Sequence, residues 1–355
     1  MTAEVKRRET TMRTVRGVRE ATRKSVADSR NFNFHDDDNR DENNLVSSLR
    51  KPDAAIRETI EDFEENEIAD ENLDRPFQRC PALRPDLTMS SIDLCGLLGR
   101  GSFGRVHLAR SIDCPDEIYA LKVMTRYVIV MNGWERNVEN ERDSMNELAA
   151  AVNSPFLLKL WNSFTDSKNI YLLLEICEGG DLFKLMSTGK ASGHFDEDEA
   201  RFYLGCVVLG LEAMHSLDII YRDLKPENLM VTESGYIKIA DFGLAKKTQR
   251  TFTMCGTPEY MAPETLLSRG HNAGADWWAL GIMLYELLVG VTPFAGGESV
   301  DVCQAILAHK AVDDLKFDKS TALSQPATDF IIQLLHPKKH KRLGVKYPGV
   351  EGVKT

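Results

Sequence analysis

Apolar and polar side chains alternate in short runs through a dense block that begins near Ile92: Leu94–Leu98, Arg105–Ala109, Ile118–Val123, Leu157–Phe164 and Ile170–Glu175. A period of two marks half-buried strands. Further along, the period lengthens to that of amphipathic helices in Val138–Leu148, Ala200–Met214 and Ala279–Leu288. Strands first and helices afterwards predict an α+β chain of two lobes: a small antiparallel-sheet lobe over 92–176 and a larger, mainly helical lobe over 177–355. No internal repeat breaks this order.

The pattern is different before residue 92. Residues 1–30 are rich in Arg and Lys, whereas residues 31–74 are acidic, opening on Asp36-Asp37-Asp38. Neither stretch carries enough apolar surface to offset chain entropy, so 1–91 is expected to be a largely disordered extension. One short helix is expected there, where Ile56, Ile60 and Phe63 follow Pro52 and Asp53 on one face. The net charge of -10 argues against a nucleic-acid partner. The longest apolar stretch, Trp277–Val291, is interrupted by Glu286 and is too short to span a bilayer, and no secretory leader is visible. Seven scattered cysteines form no C-x-x-C pair, which fits reduced thiols in a cytoplasmic protein with access to the nucleus.

Four motifs carry chemistry. Gly99-Arg100-Gly101-Ser102-Phe103-Gly104-Arg105-Val106 fits G-x-G-x-x-G-x-V. Dinucleotide folds share the glycines but open a helix with them; here Val106-His107-Leu108-Ala109 continues as a strand. A strand–turn–strand flap, able to bring N–H groups close to phosphate oxygens, is the better reading than an ordinary Gly-rich hairpin. On the next strand, Ala120-Leu121-Lys122 sets a lysine among apolar neighbours, where burial demands a counter-charge. Glu141 in the Val138–Leu148 helix is the natural partner. Tyr221-Arg222-Asp223-Leu224-Lys225-Pro226-Glu227-Asn228 supplies an acid to receive a hydroxyl proton (Asp223), a cation for a moving phosphoryl group (Lys225) and an amide oxygen for magnesium (Asn228). After an expected hairpin comes Asp241-Phe242-Gly243, whose carboxylate suits a magnesium ion on ATP.

With these residues in place the chain resembles the eukaryotic protein kinases from about Ile92 onward. Cys255-Gly256-Thr257-Pro258-Glu259-Tyr260 and Asp276-Trp277-Trp278-Ala279-Leu280-Gly281 resemble the AGC group, especially cyclic-nucleotide-dependent kinases. The resemblance implies the bilobal protein-kinase fold and an ATP- and magnesium-dependent protein Ser/Thr kinase. It also implies an adenine pocket walled by Leu98, Val106, Ala120 and Met230, with Leu174 at its rear. Hinge hydrogen bonds come from Glu175–Cys177, and Asp181 contacts ribose and a substrate arginine. Glu264 of Ala262-Pro263-Glu264 is expected to pair with Arg342 as a structural bridge. Thr253 occupies the activation-loop phosphosite, to be met by Arg222 and Lys246. Where a basic residue facing that phosphosite is implied, the chain has Asn137, so looser coupling between loop and helix is expected.

Asp181, Glu227, Glu259 and Glu286, with Thr257 beside them, form an expected acidic groove that selects Arg upstream of the phosphoacceptor. The expected partners are protein substrates with basic upstream residues, plus regulation either by a subunit in trans or in cis. The N-terminal Arg7-Arg8-Glu9-Thr10 and Arg23-Lys24-Ser25 are the cis candidates. Two rival readings differ in class. A noncatalytic nucleotide-binding scaffold would be expected to lack a transfer residue, and none is missing. That rival draws on the stop at Gly352-Val353-Lys354-Thr355, where the resemblance implies a further tail. A small-molecule kinase would lack the Ala262-Pro263-Glu264 and Gly256–Tyr260 platform.

Overall fold

The computed structural model describes residues 83–101, 104–189, 192–309, 315 and 323–355. The helix expected near Ile56–Phe63, both basic N-terminal motifs, and Ser102 and Phe103 at the tip of the flap lie outside the described residues. Five strands, β1 (Ile92–Gly101), β2 (Gly104–Ser111), β3 (Ile118–Thr125), β4 (Leu160–Thr165) and β5 (Asn169–Leu174), form one antiparallel sheet in the order β1-β2-β3-β5-β4. Between β3 and β4 run α1 (Arg126–Asn132) and α2 (Glu135–Ala151).

Alternation along β3 sorts the small lobe into two layers. Tyr119 and Leu121 join Leu87, Ile92, Ala109, Tyr171 and Leu173 in a cluster on the outer face. Ala120 and Met124 face the other way, into the main core that runs on into the helical lobe. Lys122 lies between those two in the alternation and so points to the same inner side. α2 covers that side with Val138, Glu141, Arg142, Met145 and Leu148, a helical stripe holding two charges among its apolar groups. The third flap glycine has a packing duty: a Cβ on Gly104 would lie 2.1 Å from the Val123 carbonyl oxygen.

Packing begins a few residues earlier than the hydrophobic pattern indicates. Leu87 is buried, and Asn162 Nδ2 donates to the Leu87 carbonyl at 2.7 Å. The segment 83–91 is therefore part of the sheet lobe. Apolar patterning misses it because the attachment is made by Leu87 and Met89, by backbone hydrogen bonds and by an Arg84–Glu117 ion pair.

The second lobe is helical, with small β elements at its upper edge. After β5 come α3 (Leu182–Gly189), α4 (Glu197–His215), β6 (Ile219–Ile220), a hairpin of β7 (Leu229–Val231) and β8 (Ile237–Ile239), and β9 (Lys246–Lys247), which pairs with β6. The chain continues through α5 (Pro263–Leu266), α6 (Gly274–Val289), α7 (Ser299–Ala308), α8 (Gln325–Leu334) and α9 (Glu351–Lys354). α4 starts at a capping box: Glu199 N donates to Asp196 Oδ1 at 2.9 Å, and Asp196 N donates back to Glu199 Oε2 at 3.2 Å. α6 is the axis of the lobe, buried from Gly274 to Leu288 and closed by Gly290 at φ 87°. No helix among the described residues is long and apolar enough to cross a membrane.

The expected bridge is present. Arg342 Nη1 and Nη2 donate to the two Glu264 oxygens at 2.7 and 2.9 Å, and Nη1 also reaches the Gly274 carbonyl at 2.7 Å. Arg342 has no exposed surface, and its guanidinium sits 5.1 Å from the Trp278 ring centroid. Burial alone would raise the Glu264 pKa, but Arg342 outweighs it and the pKa is lowered. Removing one partner strands a buried charge, so Glu264→Ala and Arg342→Ala are each expected to cost about 3–5 kcal/mol in urea unfolding. A loss near 1 kcal/mol would instead describe a solvated surface pair.

Candidate active site

Lys122 Nζ lies 2.7 and 2.8 Å from the two Glu141 oxygens and 4.0 Å from Asp241 Oδ1. Burial pushes the ammonium toward neutrality, yet Glu141 and then Asp241 outweigh it, and the Lys122 pKa is raised. Burial likewise raises the Glu141 pKa, with Lys122 opposing the rise. The sequence expectation of a strand lysine with a helical counter-charge is met in geometry.

The Tyr221–Asn228 loop is held from below by α6. Asp276, buried on that helix, accepts from Tyr221 N at 3.0 Å, Arg222 N at 2.8 Å and His215 Nε2 at 2.7 Å. Arg222 has φ 72°, a left-handed conformation that costs a non-glycine residue about 1–3 kcal/mol, which those bonds to Asp276 offset. Sequence reading used Asp276 only as part of a resemblance. The signal for its role was present: α6 is almost wholly apolar, and its two acids, Asp276 and Glu286, each face a loop.

Within the loop, Asn228 Nδ2 donates to the Asp223 carbonyl and to Asp223 Oδ2, both at 2.8 Å. Thr257 Oγ1 donates to Asp223 Oδ1 at 3.0 Å and accepts from Lys225 Nζ at 2.8 Å; Lys225 Nζ is also 3.3 Å from Asp223 Oδ2. Both oxygens of Asp223 are thereby aimed. The bond from Ala240 N to the Asn228 carbonyl, 2.9 Å, carries the same arrangement to the neighbouring Asp241. Asp241 sits at φ 52°, and its Oδ1 accepts from Gly243 N at 3.4 Å.

No group of three or more His, Cys, Asp or Glu among the described residues is placed to hold a metal by itself. Magnesium does not need one, since it keeps waters and uses substrate phosphates as ligands. The donors present fit that habit: the part-exposed Asp241 carboxylate, and the Asn228 amide, whose nitrogen is committed to Asp223 and whose oxygen is therefore turned elsewhere.

Three of the expected adenine-wall residues, Val106, Ala120 and Leu174, lie on the five-stranded sheet, and Met230 lies on β7. Ala120 pairs with Leu174 across β3–β5 and Val106 with Lys122 across β2–β3, while Met230 bridges to Asp181. Leu98, Gly99 and Arg100 lie on β1 of the flap, and a Cβ on Gly99 would meet nothing within 4 Å. The Glu175 N–H is already bonded to the Lys159 carbonyl at 2.9 Å and its side chain to Lys238 at 3.0 Å, leaving the Glu175 carbonyl and the Cys177 backbone for a ring. Burial and then Glu175 push the Cys177 thiol up to about 12, so the wall there is a neutral thiol. Asp181 Oδ1 caps α3 by accepting from Lys184 N at 2.7 Å.

Thr253 is exposed, but Lys246 Nζ donates to the buried Thr251 Oγ1 at 3.2 Å, and Arg222 Nε donates to the Leu244 carbonyl at 2.7 Å. Both cations thus bond neutral oxygens, and Arg222 Nη1 is buried without a hydrogen-bond partner. On α2, Asn137 bonds to the Gly243 carbonyl, and Glu147 pairs with Lys247. Of the groove acids, Glu227 is exposed, Glu259 accepts from Thr292 at 2.9 Å, and Glu286 is buried and accepts from the Tyr260 hydroxyl. Burial, then Glu227 and Glu259, raise the Glu286 pKa to about 7.

A family model described as "Protein kinase domain" matches residues 93–347. The chain belongs to the protein kinase family. It is 42% identical over 272 residues to a "cAMP-dependent protein kinase, catalytic subunit-like" of Caenorhabditis briggsae, covering 76% of this chain and 67% of that protein. It is 38% identical over 271 residues to the Drosophila melanogaster "cGMP-dependent protein kinase, isozyme 2 forms cD5/T2", covering 76% and 28%. With the "cAMP-dependent protein kinase catalytic subunit" of Arthrobotrys oligospora the identity is 40% over 275 residues, covering 77% and 50%. The matched part thus spans 67% of the nematode protein and half or less of the other two.

The ion pair makes a stability statement. In Lys122→Met, Glu141 is left buried without its cation, and a buried carboxyl so placed ionises only at a pH well above its unfolded value. Its cost is absent at low pH and grows as pH rises above the unfolded pKa. The deficit in unfolding free energy against wild type is expected to be about 3–5 kcal/mol at pH 8 and smaller at pH 5. An equal deficit at both would show that Glu141 is not the group left stranded.

Proposed function

We propose that this chain is an ATP- and magnesium-dependent protein serine/threonine kinase that prefers substrates with Arg upstream of the phosphoacceptor. The observation that carries the reading is the double fixation of Asp223, with Asn228 on one oxygen and Thr257 on the other. A carboxylate so aimed orients a hydroxyl and takes its proton as the oxygen attacks phosphorus in line. Lys225, bound to Thr257 and close to Asp223, is placed to neutralise charge on the moving group. Lys122, kept charged by Glu141, holds the α- and β-phosphates, and the β1–β2 flap covers them. Asp241 and Asn228 hold magnesium, which when bound neutralises charge on the phosphates. Positioning and charge supply the catalysis, with no covalent enzyme intermediate.

Thr257 touching both Lys225 and Asp223 supports a Ser/Thr acceptor, because the substrate platform and the catalytic loop form one hydrogen-bonded unit. Asp181, Glu227, Glu259 and Glu286 supply the negative field for upstream arginines. Phosphorylation of Thr253 gives the partnerless Arg222 Nη1 an anion beside Asp223. Regulation by a partner subunit, or by the basic N-terminal motifs in cis, belongs to the same proposal.

Asp223→Asn and Asp241→Ala are each expected to reduce phosphate transfer from ATP to a peptide library by at least ~10³-fold with unchanged unfolding midpoints. Turnover within ~10-fold of wild type in either variant contradicts the roles assigned. A second expectation follows from Glu286. Only its ionised form attracts a guanidinium, so KM for an Arg-containing peptide is expected to fall several-fold as pH rises through about 7. The same peptide with Arg replaced by Ala, and the Glu286→Gln enzyme, are expected to lack that dependence. Identical pH profiles in all three remove Glu286 from the groove.

A further inference from the structure

Asn137 and Glu141 stand one turn apart on α2 and share a face. Glu141 grips Lys122. Asn137 Nδ2 donates to the Gly243 carbonyl at 3.1 Å, a contact across 106 residues of sequence. Only the NH2 end of an amide can donate to a carbonyl, so the chemistry fixes which way the side chain faces. Gly243 is buried, and its own N–H bonds Asp241 Oδ1. Asp241 in turn lies 4.0 Å from Lys122. The contacts close a loop: from α2 through Glu141 to Lys122, on to Asp241 and Gly243, and back to α2 through Asn137.

We propose that Asn137 is a positioning residue: its amide docks α2 onto the Asp241-Phe242-Gly243 turn and so sets Asp241 against the Lys122–Glu141 pair without any phosphate on Thr253. The role in catalysis rests on the kinase reading; the docking itself does not. An amide–carbonyl bond carries no net charge, so neither salt nor the charge state of the loop alters it greatly. A cationic side chain at this place would need an anion from the loop to hold it. The Asn137–Gly243 contact needs no such anion, because both of its partners are neutral.

The test uses the full chain as wild type, Asn137→Asp and Asn137→Ala. Aspartate matches the shape but has no donor and sets a carboxylate against a carbonyl; alanine removes the group without adding charge. Amide hydrogen exchange in the peptides covering 135–151 and 241–247 is expected to quicken about fivefold or more in both variants, the factor carried by a hydrogen bond of about 1 kcal/mol. Exchange elsewhere and the unfolding midpoint are expected to stay near wild type. The magnesium concentration for half-maximal transfer is expected to rise about tenfold in Asn137→Asp while peptide KM is unchanged. Phosphatase treatment of wild type is expected to leave protection of 135–151 in place. Unchanged exchange in both variants, or loss of that protection on dephosphorylation, overturns the proposal. A wild type that transfers no phosphate to any peptide overturns the kinase reading instead, and the exchange data still decide the docking.

Discussion

A lysine on an inner sheet position cannot be buried alone, and that constraint organises the cleft. Alternation along β3 obliges Lys122 to point where Ala120 and Met124 point, into the space under the sheet. Desolvating an ammonium there costs several kcal/mol unless a carboxylate meets it with good geometry. Glu141 meets it, so α2 is held to the sheet by a charge as well as by Val138, Met145 and Leu148. The pair adds little net stability beyond what apolar packing could supply. What it adds is register, because one rotation of α2 brings Glu141 to Lys122 and no other does.

The second lobe solves a similar problem from the opposite side. A loop that presents Asp223, Lys225 and Asn228 to a cleft cannot bury much of itself, and Arg222 sits in a strained left-handed conformation. Asp276, rising from the most buried helix of the protein, takes two consecutive backbone N–H groups and fixes the loop's base. Glu264 and Arg342 fix the far edge of the substrate platform to the same helix through the Gly274 carbonyl. Rigid apolar packing in α6 is thereby converted, through a few buried polar atoms, into the position of exposed chemistry.

Much of this was legible in the chain itself. Strand and helix periods gave five strands and the main helices to within a few residues, because one face of each is buried and the other is not. The charged residues of the cleft were legible because lysine or aspartate in an apolar context requires a reason. Residues whose meaning lies in a partner far along the chain were harder to read. Asn137 looks like any surface amide until Gly243 arrives beside it, and the tie between Glu286 and the Tyr260 hydroxyl spans 26 residues of sequence. Periodicity also cannot see 83–91, where Leu87, Met89, backbone hydrogen bonds and the Arg84–Glu117 ion pair do the attaching.

The central claim is that Lys122, Asp241 and Asn228 converge on one magnesium-chelated triphosphate. Calorimetric titration with a nonhydrolysable ATP analogue, with and without magnesium, tests it most directly. Magnesium is expected to tighten binding by about tenfold or more in wild type, equivalent to about 1.4 kcal/mol, and that effect is expected to be lost in Asp241→Ala. Binding of equal strength with and without the metal, or a magnesium effect that survives in Asp241→Ala, would contradict it.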